Sequence, residues 1–159
     1  MRRAIVIGLV AFLAAAASAQ GQRAGNVVVT LRITQGVTLR HPHPPAGDAG
    51  DLFSVVLSLY NTTAEFGKAA DAPVGNMTFS YTLQGSCSSA GGSCKGTANI
   101  QTVTKLPGGT ITANGDKVPI RVPFIVTVRS GTGRFAGAHG TIEIAPAGSA
   151  KNIYKLTLP

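Results

Sequence analysis

Hydrophobic and polar residues alternate along most of the chain after its first nineteen residues. A period of two is typical of half-buried antiparallel strands. The clearest run spans residues 118–129, and shorter runs cover residues 27–33, 52–60, 76–83, 97–104, 110–113, 140–144 and 152–158. No later segment has sustained helical periodicity, so the pattern predicts an all-β chain of about eight strands, folded as a small barrel or sandwich.

Turn-forming residues separate these runs. Residues 107–109 (Pro-Gly-Gly), 114–116 (Asn-Gly-Asp) and 147–149 (Ala-Gly-Ser) predict tight turns at close spacing. Pro119 and Pro123 fall on the polar side of the 118–129 run. Because proline lacks the N–H that a sheet ladder needs, we expect this strand to lie at a sheet edge or to carry a bulge.

The first nineteen residues have the pattern of a signal peptide. A basic Met-Arg-Arg start is followed by an apolar run over residues 4–16 and by Ala-Ser-Ala at residues 17–19. The run is shorter than the roughly 20 residues that a membrane-spanning helix needs. The sequence therefore predicts a cleaved signal peptide over 1–19, a single domain over 20–159, and a secreted, periplasmic or extracellular protein; an uncleaved membrane anchor is the alternative.

The formal charge of +8 first suggests a nucleic-acid partner. Removal of residues 1–19 leaves twelve basic and six acidic residues, a net charge of +6, and the basic residues form no run and no motif with flanking aromatics. We therefore expect no nucleic-acid partner and, without a second apolar segment of spanning length, no membrane association after cleavage. The absence of Trp argues against an aromatic platform for sugars.

Two cysteines lie close together in the sequence. Cys87 and Cys94 flank the flexible segment Ser-Ser-Ala-Gly-Gly-Ser. In an oxidising compartment such a pair is expected to form a structural disulfide. A redox-active pair more often has the spacing Cys-x-x-Cys.

Familiar catalytic motifs are missing from the sequence. There is no Gly-x-Ser-x-Gly, no phosphate-binding glycine loop and no His-Glu-x-x-His. His41 and His43, in the proline-rich loop 41–50, have no obvious third ligand, so we expect an exposed loop, no metal and no cofactor. Asn61 and Asn76 begin glycosylation sequons.

Four segments carry a resemblance to a known family. Residues 130–141 read Ser-Gly-Thr-Gly-Arg-Phe-Ala-Gly-Ala-His-Gly-Thr, a glycine-rich corner in which Phe135 would point inward as a plug. Together with residues 50–60, 108–115 and 154–158, this order of motifs resembles the allene oxide cyclase and dirigent proteins, including bacterial allene-oxide-cyclase-like barrels. That family has Gly-Gly-[Thr/Ser]-Gly-x-Phe-x-x-Ala-x-Gly at the corner, and this chain has Ser130 at the first glycine.

The resemblance implies an eight-stranded antiparallel barrel with a largely apolar interior, often trimeric in the cyclases and dirigents. It implies a small apolar ligand and a reaction of cyclisation or coupling, with a homo-oligomer (trimer or dimer) as the assembly. The family's catalytic residues are not reproduced: the first strand has Arg32 and no acid, Leu57 lies near the family's asparagine, and His139 replaces the dirigent arginine. The resemblance therefore leaves open whether the protein is an enzyme.

Four polar residues on or beside these segments are the candidate ligand-binding residues: Tyr60, Tyr81, Arg134 and His139. Of these, His139 and Tyr60 are the candidate catalytic groups. An imidazole such as that of His139 can act as a general acid near neutral pH. An exposed His139 is the simpler alternative. For the whole protein, the alternatives are a non-catalytic extracellular structural or interaction barrel with a filled interior, and a small inhibitor or adhesion module.

Overall fold

The computed structural model describes residues 25–41, 48–64, 66–85, 96–119, 123–145 and 151–159, with side chains except at 35–41. These residues form eight strands and one short 3-10 turn. The elements are β1 (Gly25–His41), β2 (Leu52–Asn61), β3 (Pro73–Leu83), β4 (Thr97–Leu106), β5 (Gly109–Pro119), β6 (Phe124–Gly131), the 3-10 turn (Gly133–Phe135), β7 (His139–Ile144) and β8 (Lys151–Leu158).

The eight strands form one closed antiparallel barrel in sequence order. Each strand pairs with the next, and β8 returns to pair with β1 from Gly25↔Leu158 to Arg32↔Lys151. Closure gives every strand two neighbours in the sheet. The predicted all-β, eight-stranded antiparallel barrel is confirmed.

The alternation along the strands separates the interior of the barrel from its outer surface. On β4, the buried residues alternate with half-buried and exposed ones, and the inward face of β8 is buried throughout. The core draws on all eight strands; its fully buried members include Leu31, Leu59, Met77, Ile111, Val126, Ile142 and Tyr154. Burial of this apolar face is the main force that holds the barrel together.

The glycine-rich corner between β6 and β7 folds as the sequence predicts. Phe135 is buried against the core and ends the 3-10 turn. Gly133 has a φ of 59°, a left-handed conformation that favours glycine, and a Cβ at Gly131 would overlap the carbonyl of Phe135. The close packing of backbone at this corner explains why residues without side chains occur there.

The region between residues 109 and 131 differs from the prediction. Residues 114–116, predicted as a turn, lie inside β5, and the run 118–129 is divided between β5 and β6. Pro119 is the last residue of β5, and Pro123 directly precedes β6. The prediction of an edge strand is wrong, because the run is divided between two strands of a closed barrel. The alternative, a bulge, is confirmed: the register shifts between Gly115 and Val118 on β5 and between Val128 and Ser130 on β6. Both prolines lie at strand ends, where a missing ladder donor costs little.

Several predicted features lie outside the described residues, namely the signal peptide 1–19, the Cys87–Cys94 disulfide, His43 and the turn 147–149. They stay predictions. Within the described ranges, no helix is long and apolar enough to cross a membrane.

Candidate functional site

The barrel has two chemically different ends. At one end lie the β2–β3 loop, the β4–β5 turn and the glycine-rich β6–β7 corner, together with Gly25 and Pro159; we call it the corner end. At the other end the chain connects β1 to β2, β3 to β4, β5 to β6 and β7 to β8. We call this second end the aromatic end, because four aromatic rings lie there.

The four rings of the aromatic end are those of Phe53, Phe79, Tyr81 and Phe124. Phe53 on β2 stacks on Tyr81 on β3 with ring centroids 4.9 Å apart, and Phe79 lies 5.6 Å from Tyr81. The ring centroid of Phe79 on β3 also lies 6.0 Å from that of Phe124 on β6. These two strands are not adjacent, because β4 and β5 lie between them in the sheet. A contact between walls that are not adjacent requires both rings to point into the barrel, so the aromatic group lines its interior.

The aromatic group is only partly covered. Phe53, Phe79 and Tyr81 are half-buried, although they belong to the inward face of their strands, and Phe124 is buried. Leu57 and Ile33 on the same inward face are also half-buried. Apolar surface is thus accessible at this end, where an apolar or aromatic ligand can contact the faces and edges of several rings.

The middle of the barrel is crossed by side chains from opposite walls. The hydroxyl of Tyr154 on β8 lies 3.4 Å from that of Thr104 on β4. These two strands face each other across the barrel, because β4 is four strands from β8 in both directions around the closed sheet. Asn152 contacts the sulfur of Met77 on β3 at 3.7 Å, and it accepts a hydrogen bond from the backbone N–H of Ala145. This layer closes the floor of the aromatic end.

Burial controls the acid chemistry of Tyr154. Desolvation raises the pKa of its phenol far above the usual value near 10, although hydrogen bonds to Thr104 and Asn152 act in the opposite direction. The phenol is therefore neutral at physiological pH. It acts as a fixed hydrogen-bonding group in the barrel floor.

The two tyrosines predicted as ligand-binding residues lie on opposite faces of the barrel wall. Tyr81 belongs to the aromatic group inside the barrel. Tyr60 lies between the fully buried Leu59 and Asn61 and therefore points outward, where the guanidinium of Arg32 lies 4.5 Å from its ring centroid. Arg32 in turn forms a salt bridge of 3.3 Å to Asp71.

Arg134 and His139 lie at the corner end, away from Tyr81. Arg134 is exposed and has its guanidinium near the rings of Phe66 and Phe135, at 5.5 and 5.6 Å from their centroids. His139 is the exposed first residue of β7 and pairs with Thr157 of β8. The structure therefore does not bring the four predicted residues together in one site.

The described residues hold no group of three or more His, Cys, Asp or Glu side chains that could bind a metal ion. His41 ends β1, and its side chain lies outside those described. Of the two sequon asparagines, Asn76 is exposed, whereas Asn61 is fully buried and donates hydrogen bonds to the carbonyls of Lys68 and Ala69. Asn61 is therefore shielded from glycosylation in the folded barrel.

The alternation of apolar and polar residues predicts which side chains point into the barrel, but it does not predict which of them touch each other. The alternating runs place Phe53, Phe79 and Phe124 on apolar faces, but only the closure of the barrel brings Phe124 to Phe79. The alternation of Asn152, Tyr154, Leu156 and Leu158 along β8 was the one available signal that a polar pair faces the core.

Similar solved structures share the barrel. A pyocyanin demethylase aligns with a TM-score of 0.65 and 21% identity, over 82% of this chain and all of its own. A pterocarpan synthase dirigent protein aligns with a TM-score of 0.56 and 11% identity, over 99% of this chain and 94% of its own.

Two cyclising enzymes also match. An exo-specific intermolecular Diels-Alderase aligns with a TM-score of 0.53 and 15% identity, over 82% of this chain and 97% of its own. A nonspecific heme-binding cyclase that catalyses [4 + 2] cycloaddition aligns with a TM-score of 0.56 and 15% identity, over 87% of this chain and 70% of its own. No protein-family model matches the chain, and no curated protein matches it by sequence. At these identities the likeness is one of fold: the chain is similar to dirigent and cyclase barrels, and these four structures do not single out the allene oxide cyclase family.

Proposed function

We propose that the protein binds a small, mostly apolar molecule at the aromatic end of the barrel and directs its cyclisation or coupling. The observation that carries the proposal is the partly accessible group formed by Phe53, Phe79, Tyr81 and Phe124. Rings from three strands give a ligand apolar surfaces at fixed angles, and the layer containing Tyr154 limits how deeply it can enter.

The chemistry suited to such a site is control of conformation. A flexible conjugated molecule reaches its cyclisation geometry only in a small fraction of its conformers, and a site that holds this conformer lowers the entropic part of the barrier. An intramolecular [4 + 2] closure converts three π bonds to one π bond and two σ bonds, and it needs no oxidant or proton donor. The aromatic faces can also stabilise positive charge that develops in the ligand, and the hydroxyl of Tyr81 is the polar group within the aromatic group.

The similar structures support this class of function. Two of them are described as catalysts of cycloaddition and one as a pterocarpan synthase dirigent protein. One of the cyclases is described as heme-binding, which is consistent with barrels of this fold accommodating planar hydrophobic ligands. That this protein binds such a ligand is our proposal, and it rests on the aromatic group.

The binding part of the proposal is tested with a neutral polyaromatic probe and a neutral conjugated polyene, titrated into the purified protein. We expect saturable binding that falls by about tenfold or more in Phe79→Ala, because the variant loses the contact area of one ring. Tyr81→Phe tests the hydroxyl, and Tyr60→Phe is the matched control on the outer face. Equal affinities in all four proteins would contradict binding at the aromatic end.

The reaction part is tested by incubating the protein with a triene that cyclises slowly on its own. We expect a faster reaction or a changed ratio of stereoisomers with the wild type, and loss of the effect in Phe79→Ala. Saturable probe binding with an unchanged rate and an unchanged product ratio would leave a binding protein and contradict catalysis of this reaction.

A non-catalytic barrel with a filled interior is the second candidate. The contact between Tyr154 and Thr104 and the fully buried Met77 favour it, because together they occupy the middle of the barrel. The two candidates differ in the titration above: a filled barrel binds neither probe.

We propose in addition that the protein acts outside the cytoplasm, after removal of residues 1–19, and that it assembles as a trimer or dimer. The basic, apolar and small-residue segments of the N-terminus support the export. Intact-mass measurement on the exported protein tests the cleavage, and light scattering tests the assembly.

A further inference from the structure

A small pocket at the corner end is separate from the aromatic group. It has a volume of about 60 Å³, equal to the liquid volume of about two water molecules. Seven of its nine lining residues are aliphatic or phenylalanine side chains, and the other two are Tyr154 and Arg134. Phe66 and Phe135 lie next to Arg134 in its wall.

Arg134 is the charged group of this pocket, and packing fixes its position. Its backbone N–H donates to the carbonyl of Gly108 at 2.8 Å, and its aliphatic chain lies where a side chain at position 108 would otherwise be. The guanidinium lies near the rings of Phe66 and Phe135. Among the described residues it forms no salt bridge. A pre-positioned cation that pairs with none of the described carboxylates is suited to bind an anion.

Phe66 covers the pocket from the β2–β3 loop in an unusual backbone conformation. Its φ is 56°, in the left-handed region that non-glycine residues seldom adopt, and Gly67 follows with a φ of 67°. The hydrogen bonds of Asn61 to Lys68 and Ala69 hold the next turn of the loop. Backbone strain of this kind persists where the surroundings enforce it and is concentrated at binding sites.

We propose that the corner end binds a short-chain monocarboxylate, with its alkyl end in the pocket and its carboxylate on Arg134. The apolar walls exclude a charged tail, whereas the exposed guanidinium supplies a bidentate partner for the head group. The volume accommodates a tail of two to three carbons, and longer tails require Phe66 to move. This site is independent of the proposed cyclisation, since it lies at the opposite end of the barrel.

The test measures binding of acetate, propionate, butyrate and 1-butanol to the purified protein by NMR titration at neutral pH. We expect affinity to rise from acetate to butyrate as the tail fills the pocket, and butyrate to bind at least ten times more tightly than 1-butanol. Equal binding of butyrate and 1-butanol, or equal binding of acetate and butyrate, would overturn the proposal.

Arg134→Gln tests the cation, and Arg129→Gln is the matched control. Arg129 is also exposed, but it lies on the outer face of β6, where its Nε donates to Asn114. We expect Arg134→Gln to lower butyrate affinity at least tenfold and Arg129→Gln to leave it unchanged. An equal loss in both variants would show a general charge effect and overturn the site.

Phe66→Leu gives a third variant that retains the apolar cover but removes the ring beside Arg134. We expect weaker butyrate binding with an unchanged preference for butyrate over 1-butanol. Unchanged affinity in both Phe66→Leu and Arg134→Gln would place the ligand elsewhere and overturn the proposal.

Discussion

The two ends of the barrel contain the same strands but are organised in different ways. The corner end is defined by backbone: Gly131 and Gly133 allow the chain to pack closely around a buried Phe135. The aromatic end is defined by side chains: Phe79 and Tyr81 point inward and stay partly accessible. The corner end therefore supplies rigidity, and the aromatic end supplies the surface on which we propose that a ligand binds.

The largest expected effect comes from removing a ring at each end. Phe135→Ala should destabilise the protein by about 3–5 kcal/mol, because the corner backbone packed around the ring cannot collapse into the cavity. Phe79→Ala removes a half-buried ring and should cost roughly half as much. Urea denaturation of both variants measures the difference, and equal losses would contradict the division between the two ends.

A smaller effect is expected for the loop that holds Phe66. Asn61→Ala removes the side-chain amide that donates to the carbonyls of both Lys68 and Ala69. It should lower the free energy of unfolding by about 1–3 kcal/mol. Amide hydrogen exchange should quicken in the β2–β3 loop and stay unchanged at the aromatic end. Faster exchange at both ends would mean that the ends are coupled through the barrel wall.

Tyr154 lies between the ends and gives a pH prediction. Burial raises its pKa in the folded protein, whereas in the unfolded chain it ionises near pH 10. Above pH 10 the unfolded state therefore binds fewer protons than the folded state, so the free energy of unfolding falls by up to about 1.4 kcal/mol per pH unit. Tyr154→Phe should lack this component, and the difference between the two denaturation series from pH 8 to 11 isolates it.

If the wild type and Tyr154→Phe lose stability in parallel over this range, the phenol is not shielded from water. That result would also weaken the separation of the two ends, because the layer containing Tyr154 forms the boundary between them.

The smallest effect is expected on the outer surface. Tyr60→Ala removes the ring that the guanidinium of Arg32 contacts. The lost cation–π contact should lower the free energy of unfolding by only about 0.5–1 kcal/mol, in addition to the effect of the lost packing area. Binding of an apolar probe should be unchanged. A loss of probe affinity as large as that of Phe79→Ala would show that the outer face takes part in binding.

The fold was largely predictable from the sequence, because a period of two and a glycine-rich corner are local signals. The error between residues 109 and 131 has a physical reason. Asn114-Gly115 favours a turn, but Gly115 lies within β5, where a side chain would meet Val118 and Val126. The glycine is explained by close packing against Val118 of its own strand and Val126 of the neighbouring strand β6, which the turn pattern of Asn114-Gly115 does not reveal.

The site was less predictable. Tyr81 points inward and Tyr60 outward, although both are candidates because they lie on or beside the segments that form the barrel. The meeting of Phe79 with Phe124 depends on the order in which eight strands close, and the position of Arg134 near Phe66 depends on a loop with unusual backbone angles. These are long-range contacts, so the residue types alone do not determine them.

The phenylalanines provide the most direct test of ligand binding at the aromatic end. Five lie in the described barrel: Phe53, Phe79 and Phe124 at the aromatic end, and Phe66 and Phe135 at the corner end. In protein labelled with fluorophenylalanine, each resonance can be assigned by a single substitution and followed by 19F NMR during titration with a neutral polyaromatic probe. We expect the three resonances of the aromatic end to shift while those of Phe66 and Phe135 stay in place. Shifts confined to Phe66 and Phe135, or no shift at all, would contradict it.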